Sequence, residues 1–300
     1  MTTSQSIIKE LARRSLRSGG WSFLEQPQVS VEATCLAALA LSQERSDVAG
    51  AAIRFLLLHQ QQNGAWPAFE GDGESSWTTA LSLITLTMFN DTSEARERAL
   101  RWLLESCGKE AHWFWRWKFK TADRQVRFNP DKFGWPWELG TCSWVIPTAF
   151  SVIAIQQFTV CNRSEASERR IRLGVEMLLD RACVGGGWNS GNGVVYGTPL
   201  RPHIEATAIA LLALQDERHD EVVENSLGWL REKAATIESA SSLAWSILCL
   251  FTYQQPIRPL QERLAALTMD DHAIRNNATL ATVVLALKCG EMIHPFMVLR

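Results

Sequence analysis

Six stretches of this chain repeat one design: a small polar residue, Thr in five cases and Ser in one, opens a run rich in Ala and Leu. The marker residues are Thr34, Thr79, Thr148, Thr207, Ser242 and Thr279, at separations of 45, 69, 59, 35 and 37 residues. Each interval has room for a second helix and its connections, so the pattern is an internal repeat to be settled before fold is argued. The six runs are apolar on nearly every face, which means other protein surrounds them on all sides. Charged, amphipathic segments precede them, at about 4–17, 47–61, 93–106, 165–181, 218–234 and 257–267, and read as helices with one face in water. Six outer and six inner helices, with strand signals almost absent, predict an all-α chain folded as an (α/α)6 toroid of six helical hairpins. An open array would leave terminal apolar faces uncovered, and closing the ring removes that cost. No biased linker divides the chain, so residues 1–300 are expected to form one toroid domain.

Composition narrows the partners. With 46% hydrophobic residues the chain can bury a large core. A net charge of −2, with acids and bases mixed, offers nucleic acid no general attraction. The N-terminus reads as an amphipathic helix without the apolar region of a signal peptide, and no later run spans a bilayer, so a cytoplasmic protein is expected. The seven cysteines are scattered and lack a Cys-x-x-Cys pair, which assigns them to packing.

Thirteen Trp against two Tyr is an unusual balance, and four of the Trp follow glycine turns: Ser18-Gly-Gly-Trp21, Gln61-Gln-Asn-Gly64-Ala-Trp66, Phe133-Gly-Trp135 and Gly185-Gly-Gly-Trp188. Glycine permits the tight turn and the indole can cover helix ends. With Gln60 as its first residue, the second turn resembles the Gln-x-x-x-Gly-x-Trp repeat of squalene-hopene and oxidosqualene cyclases, in the terpene cyclase and prenyltransferase toroid superfamily. The resemblance implies an apolar cavity in which an isoprenoid is protonated and its cations rest against aromatic faces, an attraction on the order of 2 kcal/mol when desolvated. Trp77, Trp144 and Trp245, at or within inner helices, are the implied linings, with inter-helix packing as their other reading. Trp137, Glu138 and Tyr196, in connecting loops, complete the candidate binding set.

The family's acid motif, Asp-x-Asp-Asp, is absent. Its proton donor lies two residues before a helix-start Thr, and in that register stand Glu32, before Thr34, and Glu205, before Thr207. In His203-Ile-Glu205-Ala-Thr207, Glu205 is the candidate general acid and His203 the group that would orient it. A carboxyl in an apolar cavity has its pKa raised by desolvation. The same two carboxylates also stand where a helix N-terminus favours negative charge by roughly 0.3–1 kcal/mol. Asp72, Glu74 and Glu138 are further acids in loops that enter inner helices.

No cofactor is expected. Asp270-Asp271 lacks the spacing with which terpene synthases hold Mg²⁺, which would enter only with a diphosphate substrate. No Asp-x-Cys stands at an inner-helix start, leaving Cys35, Cys142 and His203 as a poor zinc set. Gly185 to Gly193 lacks the Gly-Lys-Ser/Thr of a phosphate loop. Arg201, Arg116, Lys118, Arg124 and Arg127 read as solvated cations or as diphosphate contacts. The long connections, about 107–142 and 184–203, are where function tends to lie. In the first, Trp113, Trp115 and Trp117 alternate. An extended segment would put all three indoles on one face, as a lid, a cavity lining or a surface for a membrane or partner.

The leading expectation is therefore acid-initiated cyclisation or isomerisation of an isoprenoid substrate inside the ring. The alternative is a non-catalytic toroid that binds an isoprenoid, a lipid or a protein. The chain is short beside a triterpene cyclase, which resembles two such domains, so a homo-oligomer or partner subunit is a candidate for completing the cavity. A third reading, a glycosidase-type toroid, requires two cleft carboxylates about 5–10 Å apart, for which Glu205 with Glu138 is the pair considered.

Overall fold

The computed structural model describes residues 3–24, 26–91, 93–122, 127–268 and 274–299. Asp270-Asp271 and Arg124 lie outside the described residues. Six inner helices, α2 (Val31–Leu41), α4 (Thr78–Met88), α7 (Val145–Phe158), α9 (Ile204–Ala213), α11 (Ala240–Thr252) and α13 (Asn277–Leu287), pack each against the next, and α13 packs on α2 to close the ring. Outside them run α1 (Thr3–Arg13), α3 (Ser46–Leu58), α5 (Glu94–Glu105), α8 (Glu165–Asp180), α10 (Glu221–Ala234) and α12 (Arg258–Leu267). This is the (α/α)6 toroid the repeat predicts. The first outer helix stops at Arg13, before Gly19-Gly20, short of the expected residue 17. The inner helices are apolar because both their flanks and their backs are covered: in α2 every residue is buried except Glu32, which is partly buried.

Four hairpins share one clasp, and it explains the repeated Trp and Thr. The backbone N–H of Trp21, Trp66, Trp135 and Trp188 donates to Oγ1 of Thr34, Thr79, Thr148 and Thr207 at 2.9, 2.9, 3.0 and 2.9 Å. Their indole N–H groups donate to the carbonyls of Leu11, Leu56, Leu103 and Leu178 at 2.9, 2.8, 2.8 and 2.6 Å, satisfying C-terminal acceptors of α1, α3, α5 and α8. All four indoles are fully buried. Gly64 has φ +92° and lies so close to α5 that a Cβ would sit 2.6 Å from the Arg98 carbonyl oxygen, which is why glycine is required there. Gln60 donates to the carbonyls of Gly64 and Ala95, both at 2.8 Å, tying the turn to the next outer helix.

Two insertions interrupt the pattern. The step from Leu103 to Trp135 is 32 residues where the other three clasps use 10, and it contains α6 (Trp113–Thr121). The step from Trp188 to Thr207 is 19 residues where the others use 13, and it contains the short antiparallel pair β1 (Val194–Val195) and β2 (Thr198–Pro199). The first is anchored by Glu110, which is fully buried, accepts from Ser143 N–H at 3.1 Å and faces the buried Arg181 at 3.9 Å.

The expected extended Trp segment is corrected: residues 113–121 are helical. Trp113, Trp115, Trp117 and Phe119 do alternate, but Phe114 falls on the opposite face, and Trp113–Trp117 and Trp115–Phe119 are also i, i+4 pairs, a spacing a helix satisfies equally. On the helix Trp113 and Trp117 share a face, 80% and 57% exposed, whereas the ring of Trp115 is covered by the ammonium groups of Lys109 and Lys118 at 4.6 and 4.9 Å.

The C-terminal segment fills the ring from the end where the inner helices finish. Gln157 near the end of α7 donates to the carbonyls of Pro295 and Met297, and Gln215 after α9 donates to that of Phe296. The segment thereby delivers Phe296, 0% exposed, against Phe150 of α7 and Trp245 of α11, at ring separations of 5.8 and 5.1 Å. Among the described residues no helix is long and apolar enough to cross a membrane.

Candidate active site at the mouth of the ring

The opposite end of the ring is built by the loops that lead into the inner helices. They are stitched to one another around the rim: Asn277 N–H donates to Phe23 O, Val31 N–H to Ala68 O, Trp77 N–H to Trp137 O and Val145 N–H to Ser190 O. These bonds fix the first turns of the inner helices, whose N-terminal dipoles point into the mouth.

Glu32 and Glu205 are each the second residue of their helix, α2 and α9. In a ring of six, the first and fourth inner helices lie opposite each other, so the two carboxylates face the mouth from opposite sides. Burial first, and then the negative charge of Glu205, raise the Glu32 carboxyl from the ordinary 4.5 to about 7. Glu205 is partly buried and accepts a hydrogen bond from Ser242 Oγ of α11 at 3.1 Å. In the first four hairpins the Thr marker holds a Trp turn, whereas Ser242 gives its hydroxyl to a carboxylate.

The remaining candidates divide by position. Trp77 and Trp137 pack edge to face at 5.2 Å beside this mouth, and Trp77 continues to Phe150 at 5.4 Å. Trp245, 6% exposed, meets Phe150 at 5.8 Å inside the ring. Trp144 caps α7 and keeps 36% of its surface open. His203 is exposed at the cap of α9, and among the described residues no hydrogen bond joins its ring to Glu205. Glu138 is exposed in a turn whose backbone bridges Ser76. Tyr196, 73% exposed with φ +51°, is at the tip of the β1–β2 hairpin. Asp72 and Glu74 are exposed. Among the described residues no group of three or more His, Cys, Asp or Glu is placed to hold a metal ion, Cys35, Cys142 and His203 included.

Glu205 was paired with Glu138 in the sequence, but the structure pairs it with Glu32. The signal was present in the repeat: both acids occupy the same register, in hairpins three apart, and such hairpins face each other in a ring of six. Ser242 carried no such signal.

No family model matches the sequence, and no curated protein matches it. Solved structures do match over nearly the whole chain. An α-amylase from Clostridium perfringens superimposes with a TM-score of 0.67 at 10% identity, over 96% of this chain and 98% of that one. A GH76 α-mannanase from Bacteroides thetaiotaomicron gives 0.62 at 11% identity, over 95% of each chain. A cellobiose 2-epimerase from Spirochaeta thermophila gives 0.54 at 13% identity, over 89% of this chain and 86% of that one. At such identities the likeness shows a shared fold.

These neighbours overturn the expected membership of the terpene cyclase and prenyltransferase superfamily, and with it the isoprenoid function, in its catalytic and its binding form, and the isoprenoid partner. The physical reason lies in the clasp. A Gly-x-Trp turn followed by Thr closes an outer helix onto an inner one, so the motif that carried the resemblance reports hairpin geometry and holds no information about substrate.

Proposed function

We propose that this protein hydrolyses a glycosidic bond, with Glu32 and Glu205 as its carboxylate pair. The observation that carries the reading is the placement of two acids in the same register on opposite sides of the ring mouth, where burial first and then the charge of Glu205 raise the Glu32 carboxyl to about 7. Two carboxyls flanking a cleft, one of them with a raised pKa that suits a general acid, are the equipment of this reaction. The carbohydrate-processing names of the structural neighbours support the substrate class.

In this scheme the Glu32 carboxyl gives its proton to the leaving glycosidic oxygen as the bond to the anomeric carbon breaks. Glu205 takes a proton from the incoming water, whose oxygen forms the new bond to that carbon. Ser242 holds Glu205 in place, and Trp77 and Trp137 supply apolar walls against which a sugar ring packs.

The test is reducing-end release from starch, α-mannan and β-1,4-glucan across pH 4–9. Cleavage of one of them, with a rate that falls as pH rises through about 7 and Glu32 loses its proton, is the expected result. A rate that still climbs above that pH would remove Glu32 as the acid.

A further inference from the structure

Where the second insertion leads into α9 lies a groove of about 400 Å³, and its lining includes Trp144, Asn189, Asn192, Leu200, Arg201 and His203. The second insertion builds it: this hairpin spends six more residues than its counterparts between its Trp and its Thr, and the surplus forms the groove wall. Three bonds fix that wall. Val145 N–H donates to Ser190 O at 3.0 Å, Leu200 N–H to Gly193 O at 2.8 Å, and Asn189 Nδ2 to Asn192 O at 2.9 Å.

Two features point to a ligand. The backbone at Gly191 presses on the benzo part of the Trp144 ring, where a Cβ would come within 3.2 Å, so one side of the indole is clamped while 36% of the residue stays open to the groove. Asn192, a half-buried residue of the groove lining, has a side-chain Oδ1 with no hydrogen-bond partner among the described residues, so turning that oxygen toward the groove gives up no bond within the fold. A fixed aromatic face with amide, guanidinium and imidazole groups around it matches a pyranose ring, which has an apolar C–H face and hydroxyls at its edge.

We infer that this groove is a sugar-binding subsite that holds one pyranose unit of the substrate on Trp144, with Asn192 accepting a hydroxyl proton. The inference rests on the carbohydrate reading above. His203, which lines the groove and caps α9 two residues before Glu205, places the groove on the same rim of the ring. Tyr196, at the outer end of the same insertion, borders this approach.

The experiment is calorimetric titration with malto-, manno- and cello-hexaose of the wild type, Trp144→Ala, Asn192→Ala and Glu32→Gln, with melting temperatures recorded for each. One oligosaccharide should bind the wild type and Glu32→Gln alike, and about tenfold more weakly to Trp144→Ala and to Asn192→Ala in their folded states. On the matching polysaccharide Trp144→Ala should raise KM and leave kcat within about twofold. Wild-type affinity in both groove variants would overturn the subsite while the hydrolase reading stands. Neither binding nor cleavage of any of the three glucan or mannan types by the wild type would overturn both.

Discussion

Glu32 and Glu205 approach each other from the first turns of opposite inner helices, and the charge on Glu205 adds to burial in holding the Glu32 carboxyl at about 7. The fold produces this pair by repetition: the same register, two residues before a clasp Thr, occurs on both sides of the ring, and closure brings the two copies together.

The pair carries a stability cost whose sign is fixed. The folded pKa of Glu32 lies above its ordinary 4.5, so its contribution is fully present below about 4.5 and is lost as pH rises through about 7. Glu32→Gln removes that loss. The unfolding free energy of the variant minus that of the wild type should therefore grow from pH 5 to pH 8, bounded by on the order of 3 kcal/mol. A difference independent of pH would contradict the coupling.

Removing the charge of Glu205 should lower the Glu32 pKa. Carbon-detected NMR titration of the Glu32 carboxyl in wild type and in Glu205→Gln tests this, with a value near 7 in the first and a lower one in the second. Equal values would show that burial alone sets the shift.

The clasp makes a prediction about stability. Thr79→Val keeps the shape of the side chain and removes the acceptor of the Trp66 N–H, stranding a buried donor at a cost of about 1–3 kcal/mol in urea unfolding. Val at Ser242, which clasps no Trp turn, should cost less and act on turnover through Glu205 instead.

At the other end of the ring, Phe296→Ala leaves a cavity between Phe150 and Trp245 and should cost about 3–5 kcal/mol. The neighbouring His294 is buried, accepts or donates at 2.8 Å to Thr252 Oγ1, and has its pKa pushed down by burial to about 3. Its stabilising contribution is present above about 6.5 and is lost as pH falls toward 3. Acid unfolding of His294→Gln should accordingly be shallower than that of the wild type.

The ring was legible because each of its elements needs a periodic pattern, and hairpins whose markers run from Thr34 to Thr279 display it. The helix at 113–121 was not, since aromatics at 113, 115, 117 and 119 fit a period of two as well as the i, i+4 spacing of a helix, and only Phe114 departs from the first. The chemistry was legible only as separate acids. Glu205 and Glu32 were singled out by register, but their pairing depends on closure, and the role of Ser242 depends on which of its neighbours carry a Trp turn. The family was misread because the Gly-x-Trp turn, with Trp66 as its clearest example, is a device for closing a helical hairpin.

The central claim is tested most directly by the rate of polysaccharide hydrolysis in Glu32→Gln and Glu205→Gln beside the wild type, at pH 6 and with melting temperatures measured in parallel. The account predicts a loss of about 10²–10⁴-fold in each variant with the fold retained. Wild-type rates in either one would contradict it.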